Sequence, residues 1–146
     1  MYTKAETSES WKAFFKELQP RCQEQDIPLI DMIDWIHDSA GQIEKQNFDY
    51  HIVSVSIPED RSQKIDINIL LGNRIYSFTV SLQKKEFNIF SAGDFGHYSE
   101  EITKDFITCR FICTSEIVFF ITDSIANSAK LRVFTHKVLD LAWGKE

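Results

Sequence analysis

The chain has few of the residues and motifs from which phosphate-binding sites, membrane spans and signal peptides are built. It has 5 glycines in 146 residues and no P-loop or Rossmann glycine pattern, so a glycine-cradled phosphate site is not indicated. Its longest uninterrupted apolar run, residues 117–121, is far too short for a membrane span. The first residues lack the basic segment and apolar stretch of a signal peptide, so we expect a cytoplasmic protein.

Cysteine and positive charge are also scarce. The three cysteines follow no metal-binding pattern, and Cys109 and Cys113 would lie about 13 Å apart on a strand, beyond disulfide reach. Reduced thiols in a cytosolic protein are the simplest interpretation. Acidic residues outnumber basic ones by 22 to 16, and the net charge of −6 disfavours nucleic-acid binding. No residue pattern indicates a cofactor.

Apolar and aromatic side chains, by contrast, are abundant. Apolar residues make up 43% of the chain, and 12 phenylalanines, 4 tyrosines and 3 tryptophans supply enough bulk for a core. The length suits one domain. We therefore predict a single α+β domain over residues 1–146, with residues 1–26 as an N-terminal helical extension that packs on it.

Three segments have the three- and four-residue apolar spacing of amphipathic helices. They cover residues 8–19, a segment that begins after Asp26 and closes at or just before Asn47, and residues 128–143. Pro20 is expected to end or bend the first helix, because proline cannot donate the backbone hydrogen bond. Asp26 is the expected N-cap of the second helix.

After the second helix the apolar period changes to two, which is typical of strands. Four runs predict an antiparallel meander: residues 50–57, 64–71, 75–82 and 87–90. Two later strands are predicted at Phe106–Thr114 and Glu116–Thr122. The last is apolar on both faces, so we expect it to be central or covered by a helix. The predicted fold is α+β: an antiparallel sheet of about five to six strands covered by two N-terminal helices and one C-terminal helix.

Residues 91–101, SAGDFGHYSEE, are predicted as a connecting loop in which glycines reverse the chain and Ser99 starts a short helical turn. Asp94 and His97 have the residue types of a carboxylate-oriented general base. They support an alternative function, a small enzyme or ligand-binding domain with a pocket at this loop. No nucleophile motif accompanies them, so we favour the connector.

The second helix carries a candidate metal half-site. Asp34 shares a helical face with His37 and with Asp38, and carboxylate with imidazole can ligate a divalent ion. Helical metal sites draw matching ligands from another helix, and neither other predicted helix offers them. We therefore favour a solvated acidic face and expect no metal.

Four aromatic residues are candidates for partner binding: Trp35, Phe95, Tyr98 and Trp143. Trp35 lies off the main apolar stripe, Trp143 is nearly terminal, and the other two lie in the predicted loop. Large exposed aromatics favour protein recognition, and an acidic body steers the encounter. The predicted function is a non-catalytic cytosolic protein-binding module of inhibitor, immunity or chaperone type. Its partner is another protein, with a homodimer as an open alternative.

In size, acidity and the order of helices and strands over residues 28–143, the chain resembles bacterial type III secretion chaperones. The resemblance implies a curved antiparallel sheet packed with helices, and dimerisation. The second N-terminal helix and the glycine-bearing loop depart from that pattern. A pleckstrin-homology-like barrel closed by the last helix, with a peptide or lipid ligand, is another compatible arrangement, although the predicted strands are few for closing it.

Overall fold

The computed structural model describes residues 8–41, 43–54, 64–81 and 84–144. Over these residues the helices are α1 (Glu9–Glu24), α2 (Leu29–Ala40) and α3 (Ser128–Trp143). The strands are β1 (Asp49–Val53), β2 (Lys64–Leu71), β3 (Arg74–Ser81), β4 (Lys85–Ser91), β5 (Phe95–Ile102), β6 (Phe106–Cys113) and β7 (Val118–Ser124). Short 3₁₀ helices occur at Ile43–Lys45, Ala92–Asp94 and Ile125–Asn127.

The strands form two antiparallel sheets, of order β1-β2-β3-β4 and β5-β6-β7. The predicted α+β class with antiparallel strands is confirmed, but the expected single sheet of five to six strands is corrected. The difference arises at residues 91–101, which are not a loop. A 3₁₀ turn at Ala92–Asp94 redirects the chain, and β5 then begins the second sheet at Phe95.

Contacts divide the chain into two compact units. The first comprises the described residues up to Gly72 together with Tyr76–Asn88, and the second comprises Asn73–Ile75 together with the described residues from Ile89 onward. Each unit has its own apolar core.

Helix α1 begins after Ser8, whose Oγ accepts a hydrogen bond from the Trp11 backbone N–H at 3.1 Å. Of the two predicted effects of Pro20, the end of the helix is corrected, because α1 continues to Glu24. Pro20 is exposed, whereas Leu18 and Cys22 on either side of it are buried and hold the last turns against the core.

The start of α2 also differs from the prediction. Pro28, not Asp26, occupies the N-cap position, and its carbonyl accepts from the Met32 N–H. Asp26 has a φ of 54° and lies in the turn between the helices, where aspartate tolerates the left-handed conformation. The predicted β1 positions Val55 and Ile57, the turn at 58–63 and Leu82 fall outside the described residues.

The core of the first unit lies between the two N-terminal helices and one face of the four-stranded sheet. Phe14 of α1 meets Phe48 and Tyr50 edge-on, with ring centroids 5.8 and 5.3 Å apart. The β2 residues that alternate in sequence, Ile65, Ile67 and Ile69, are fully buried, as the period of two predicts. The hairpin to β3 turns at Gly72, whose φ of 64° suits glycine.

The second unit pairs the three-stranded sheet with α3. Phe95, Phe111 and Phe119 come from three different strands and stack across one sheet face, with centroids 4.9 to 6.1 Å apart. Helix α3 contributes Leu131, Phe134 and Val138, all buried. We call this the covered face of the sheet; the opposite side is its open face.

Strand β7 pairs with β6, and no other described strand joins it, so it is an edge of its sheet. The strand is therefore not central, which was one of the two predicted alternatives, whereas helix α3 packs on one of its faces, as the other alternative predicted. Phe119 and Ile121 are buried on the covered face, but Phe120 is 59% exposed and Val118 is 43% exposed on the other side. An apolar residue at every position therefore does not mean that both faces are enclosed.

Candidate functional site

The ladder between β6 and β7 determines which backbone groups of β7 remain available. Cys113 N–H donates to the Ile117 carbonyl at one end, and Ile125 N–H donates to the Asp105 carbonyl at the other. With the observed register, odd-numbered residues of β7 exchange hydrogen bonds with β6. Val118, Phe120 and Thr122 must therefore direct their N–H and C=O groups away from β6.

The same three residues place their side chains on the open face. Val118 is paired with Ile112 and Phe120 with Arg110, so Ile112, Val118 and Phe120 lie side by side at one end of this face. We call these three residues the open-face patch. A cluster of large exposed apolar side chains is the usual mark of an interaction surface.

The other end of the open face is polar and internally paired. Thr108 and Thr122 hydroxyls lie 2.9 Å apart across the β6–β7 pair. Arg110 Nη2 lies 2.8 Å from Glu101 Oε1 across the β5–β6 pair. These groups give the apolar patch a polar border, an arrangement common at protein interfaces.

Other sheet edges among the described residues carry features that discourage pairing. Strand β4 begins with exposed Lys85 and Glu86, and the outer strand β5 is interrupted by a bulge at Gly96 and bears Glu101. Strand β1 is only five residues long and mostly buried. Charges, bulges and short length are the common protections of an edge strand. Residues 117–122, which are Ile117 before the strand and the first five residues of β7, contain no charge, proline or glycine.

Two of the aromatic residues predicted to bind a partner lie in the core of the second unit. Phe95 is 3% exposed and stacks with Phe111. Tyr98 is half-buried, packs on Phe111 at 4.8 Å and donates its hydroxyl hydrogen bond to Glu100. Neither side chain projects from a loop, so the reason for assigning them to partner binding is lost.

The two tryptophans differ in accessibility. Trp35 of α2 is half-buried, meets Phe78 edge-on at 5.2 Å, and has the Lys85 ammonium 5.6 Å from its ring centre. Trp143 is 53% exposed at the end of α3, and its Nε1 donates to the Phe95 carbonyl at 3.1 Å. Of the four predicted aromatics, Trp143 alone presents most of its ring to solvent.

Asp94 and His97 are exposed but lie on different sides of the second sheet. Asp94 is in the 3₁₀ turn, close enough to the buried Cys113 thiol to contribute, after burial itself, to raising its pKa. His97 follows the bulge and pairs with Ile112, which places it on the open face. The structure does not bring the two side chains together as a carboxylate–imidazole pair.

The candidate metal half-site on α2 is also dispersed. His37 stacks on Trp11 of α1, with ring centroids 5.2 Å apart, whereas Asp34 and Asp38 are exposed. Within the described ranges, no three His, Cys, Asp or Glu side chains converge in a way that could hold a metal ion.

A polar cluster beneath α3 joins the helix to β5. Glu100 accepts hydrogen bonds from Tyr98 and from Arg132 of α3, and these bonds lower the pKa of its carboxyl group against the opposing effect of burial. Burial, followed by the bonds to Cys109 and Glu100, raises the pKa of Tyr98. Cys109 is fully buried and its pKa is raised by burial, the opposite of what a nucleophilic thiol needs.

One cavity of about 470 Å³ lies at the corner between α1 and α2, lined in part by Gln19, Cys22, Asp26 and Leu29. Burial raises the pKa of Cys22 to about 11, so this thiol is also unreactive at neutral pH. A single exposed carboxylate and an inert thiol do not make an acid–base pair, and the cavity carries no functional argument.

The open-face patch was missed by the sequence analysis. The run EIVFFIT is apolar at successive positions, which predicts burial. The absence of charge, proline and glycine between residues 117 and 122 is shared by central strands and by unprotected edge strands, so the sequence holds no signal that identifies this edge.

No protein-family model matches this chain, and no curated protein matches it. Over the residues that the structure describes, the helices are too short or too polar to traverse a lipid bilayer.

Proposed function

We propose that the chain is a non-catalytic protein-binding module of the cytoplasm, and that its partner, another protein, docks on the open face of the three-stranded sheet. The observation that carries this proposal is the open-face patch: Val118 and Phe120 stand exposed beside Ile112 on one side of a regular sheet. Covering Phe120, which is 59% exposed, and Val118, which is 43% exposed, would each contribute part of the roughly 1.5–3 kcal/mol that complete burial of such a side chain is worth.

The surroundings of the patch suit a protein partner. The Thr108–Thr122 and Arg110–Glu101 pairs form a polar border that stays hydrated when the apolar centre is covered. The net charge of −6 favours encounter with a basic partner surface. Trp143 is exposed on the same unit and is a second candidate contact. The buried thiols, which form no disulfide, suit a reducing cytoplasm.

The proposal is tested by removing the patch without touching the core. The variant Val118→Ser/Phe120→Ser deletes the apolar contact. Ile30→Ser/Val133→Ser is the control, because Ile30 and Val133 lie on helices and are at least as exposed as the two patch residues. Tagged forms of each protein would be expressed in the native cells, and stoichiometric partners quantified by mass spectrometry. We expect one partner to be retained by the wild type and the control and reduced at least about tenfold by the patch variant, as for a loss of about 1.4 kcal/mol or more.

Two results would contradict this function. One is a partner that binds the patch variant as well as it binds the wild type. The other is a small molecule that co-purifies with the chain and is lost in His97→Ala, which would favour the ligand-binding alternative. His97 is exposed on the open face, so its removal should leave the stability of the fold unchanged.

A further inference from the structure

We infer that a second copy of the chain pairs with the free edge of β7, antiparallel and about a two-fold axis, so that two three-stranded sheets become one six-stranded sheet. This goes beyond the proposed function, which concerns side chains of the open face. The inference concerns the backbone groups of the edge, and it is measured on the purified chain without any other protein.

The hydrogen-bonding groups needed for such pairing are present in series. Val118, Phe120 and Thr122 direct both backbone groups away from β6, as the ladder bonds at its two ends require. The series ends at Ser124, whose N–H donates to Asp123 Oδ1 at 2.7 Å within the same chain. Three consecutive outward-facing residues remain, and Phe120 is the middle one.

The position of Phe120 determines the register of the pair. A two-fold axis must place residue i opposite j and j opposite i. Centring it on Phe120 pairs all three residues: Phe120 with Phe120 of the partner subunit, and Val118 with the partner's Thr122. Aromatic pairs and pairs of β-branched residues are among the favourable cross-strand neighbours.

Charge makes β7 the least unfavourable of the sheet edges for a second copy. Two chains that each carry −6 repel one another, so a stable contact between copies needs a neutral strand at its centre. Residues 117–122 are neutral, and the Asp123 side chain is buried and engaged by Asn127. The edges of β4 and β5 would instead bring Glu86 or Glu101 into the interface.

The experiment is sedimentation of the purified chain over a concentration series. A single pair of strands buries less surface than the roughly 1,200 Å² of a standard protein interface. We therefore expect a weak dimer with a dissociation constant of about 10–100 µM. Phe120→Lys places two ammonium groups opposite each other at the axis and should raise the dissociation constant at least about tenfold. Val133→Lys adds the same charge at an equally exposed site on α3 and should leave dimerisation unchanged.

A second variant tests the backbone directly. Thr122→Pro removes an outward N–H but no bond of the β6–β7 ladder, and it should also abolish the dimer. Thr108→Val is its control, because it removes the same hydroxyl pair and leaves the edge intact. Circular dichroism confirms that each variant is folded.

The inference is overturned if the wild type is monomeric up to about 200 µM, well above the expected dissociation range, or if Phe120→Lys sediments as the wild type does. An extended segment of a different protein would then be the competing candidate for pairing with β7. Failure here leaves the proposed function standing, since a folded, monomeric Thr122→Pro keeps the open-face patch and should still capture the partner.

Discussion

Asp66 of β2 is a carboxylate in an unfavourable place. Its Oδ1 is enclosed, and no hydrogen-bond partner for that oxygen occurs among the described residues. Burial raises the pKa of Asp66, and Glu86 adds to the increase, whereas Lys64 and a hydrogen bond from Thr79 act in the other direction. Desolvation is the largest of these effects, so the Asp66 carboxyl group holds its proton more tightly in the folded chain than in the unfolded chain.

The resulting pH dependence has a definite sign. As the pH rises above the ordinary carboxyl pKa of 3.8, the unfolded chain loses the Asp66 proton before the folded chain does. The free energy of unfolding therefore falls between 3.8 and the raised pKa of the folded state. We expect Asp66→Asn to be more stable than the wild type at neutral pH, with an advantage that shrinks toward pH 4. Urea unfolding at several pH values measures this.

Asp34→Asn provides the comparison, because Asp34 is exposed on α2. Its replacement at an exposed site should change the free energy of unfolding at neutral pH by less than about 0.5 kcal/mol. A destabilised Asp66→Asn at neutral pH would show that the charged carboxylate has a compensating partner and that desolvation does not dominate at this site.

Among the helices, α1 is unusual because it contains an interior proline. Pro20 cannot donate the hydrogen bond that residue 20 of an α-helix gives to the Lys16 carbonyl, and an interior proline costs about 3 kcal/mol relative to alanine. Proline also lowers the conformational entropy of the unfolded chain, and this offsets about 1 kcal/mol of that cost. Because Pro20 is exposed, its ring contributes little to the core.

Pro20→Ala is therefore expected to stabilise the protein by about 1–2 kcal/mol in urea unfolding. Pro28→Ala is the contrasting substitution. Pro28 precedes the first residue of α2, where the missing N–H is not needed, so its replacement should be neutral or cost up to about 1 kcal/mol. Equal effects of the two substitutions would mean that Pro20 does not interrupt α1.

The sequence predicted elements with a regular period and missed the one with a bulge. Strand β6 alternates buried and half-buried residues, β2 does so over residues 64–67, and both strands were predicted within one residue. In β5 the register shifts between Phe95 and His97, so Phe95 and Tyr98 share a face although they are three residues apart. That spacing is not the strand period, and two glycines suggested a loop. Because β5 was not predicted as a strand, the second sheet was not predicted either.

The open-face patch depends on the position of β7 in its sheet, which the spacing of apolar residues does not reveal. Every residue from Ile117 to Ile121 is apolar, which is compatible with a central strand and with an edge strand that binds a partner. Only the pairing of β6 on one side of β7, with no described strand on the other, separates the two. Phe120 becomes a candidate contact residue once strand order is known.

At the scale of the whole molecule, two units share two strands. Arg74 and Ile75 of β3 group with the second unit and the rest of β3 with the first, and β4 is divided likewise after Asn88. The boundary therefore falls within two hydrogen-bonded strands, so neither unit contains all the residues of β3 and β4. We therefore expect the chain to unfold in one transition, as small single domains do.

The native cysteines report on both units without any substitution. Cys22 belongs to the first unit, and Cys109 and Cys113 belong to the second; all three are buried, and burial raises the pKa of each thiol. Brief alkylation across a urea series, followed by mass spectrometry of the peptides, measures the exposure of each thiol separately. One transition predicts that all three midpoints coincide with the loss of circular dichroism. Midpoints that differ by more than about 0.5 M urea, beyond the precision of such fits, would instead show that the units unfold independently.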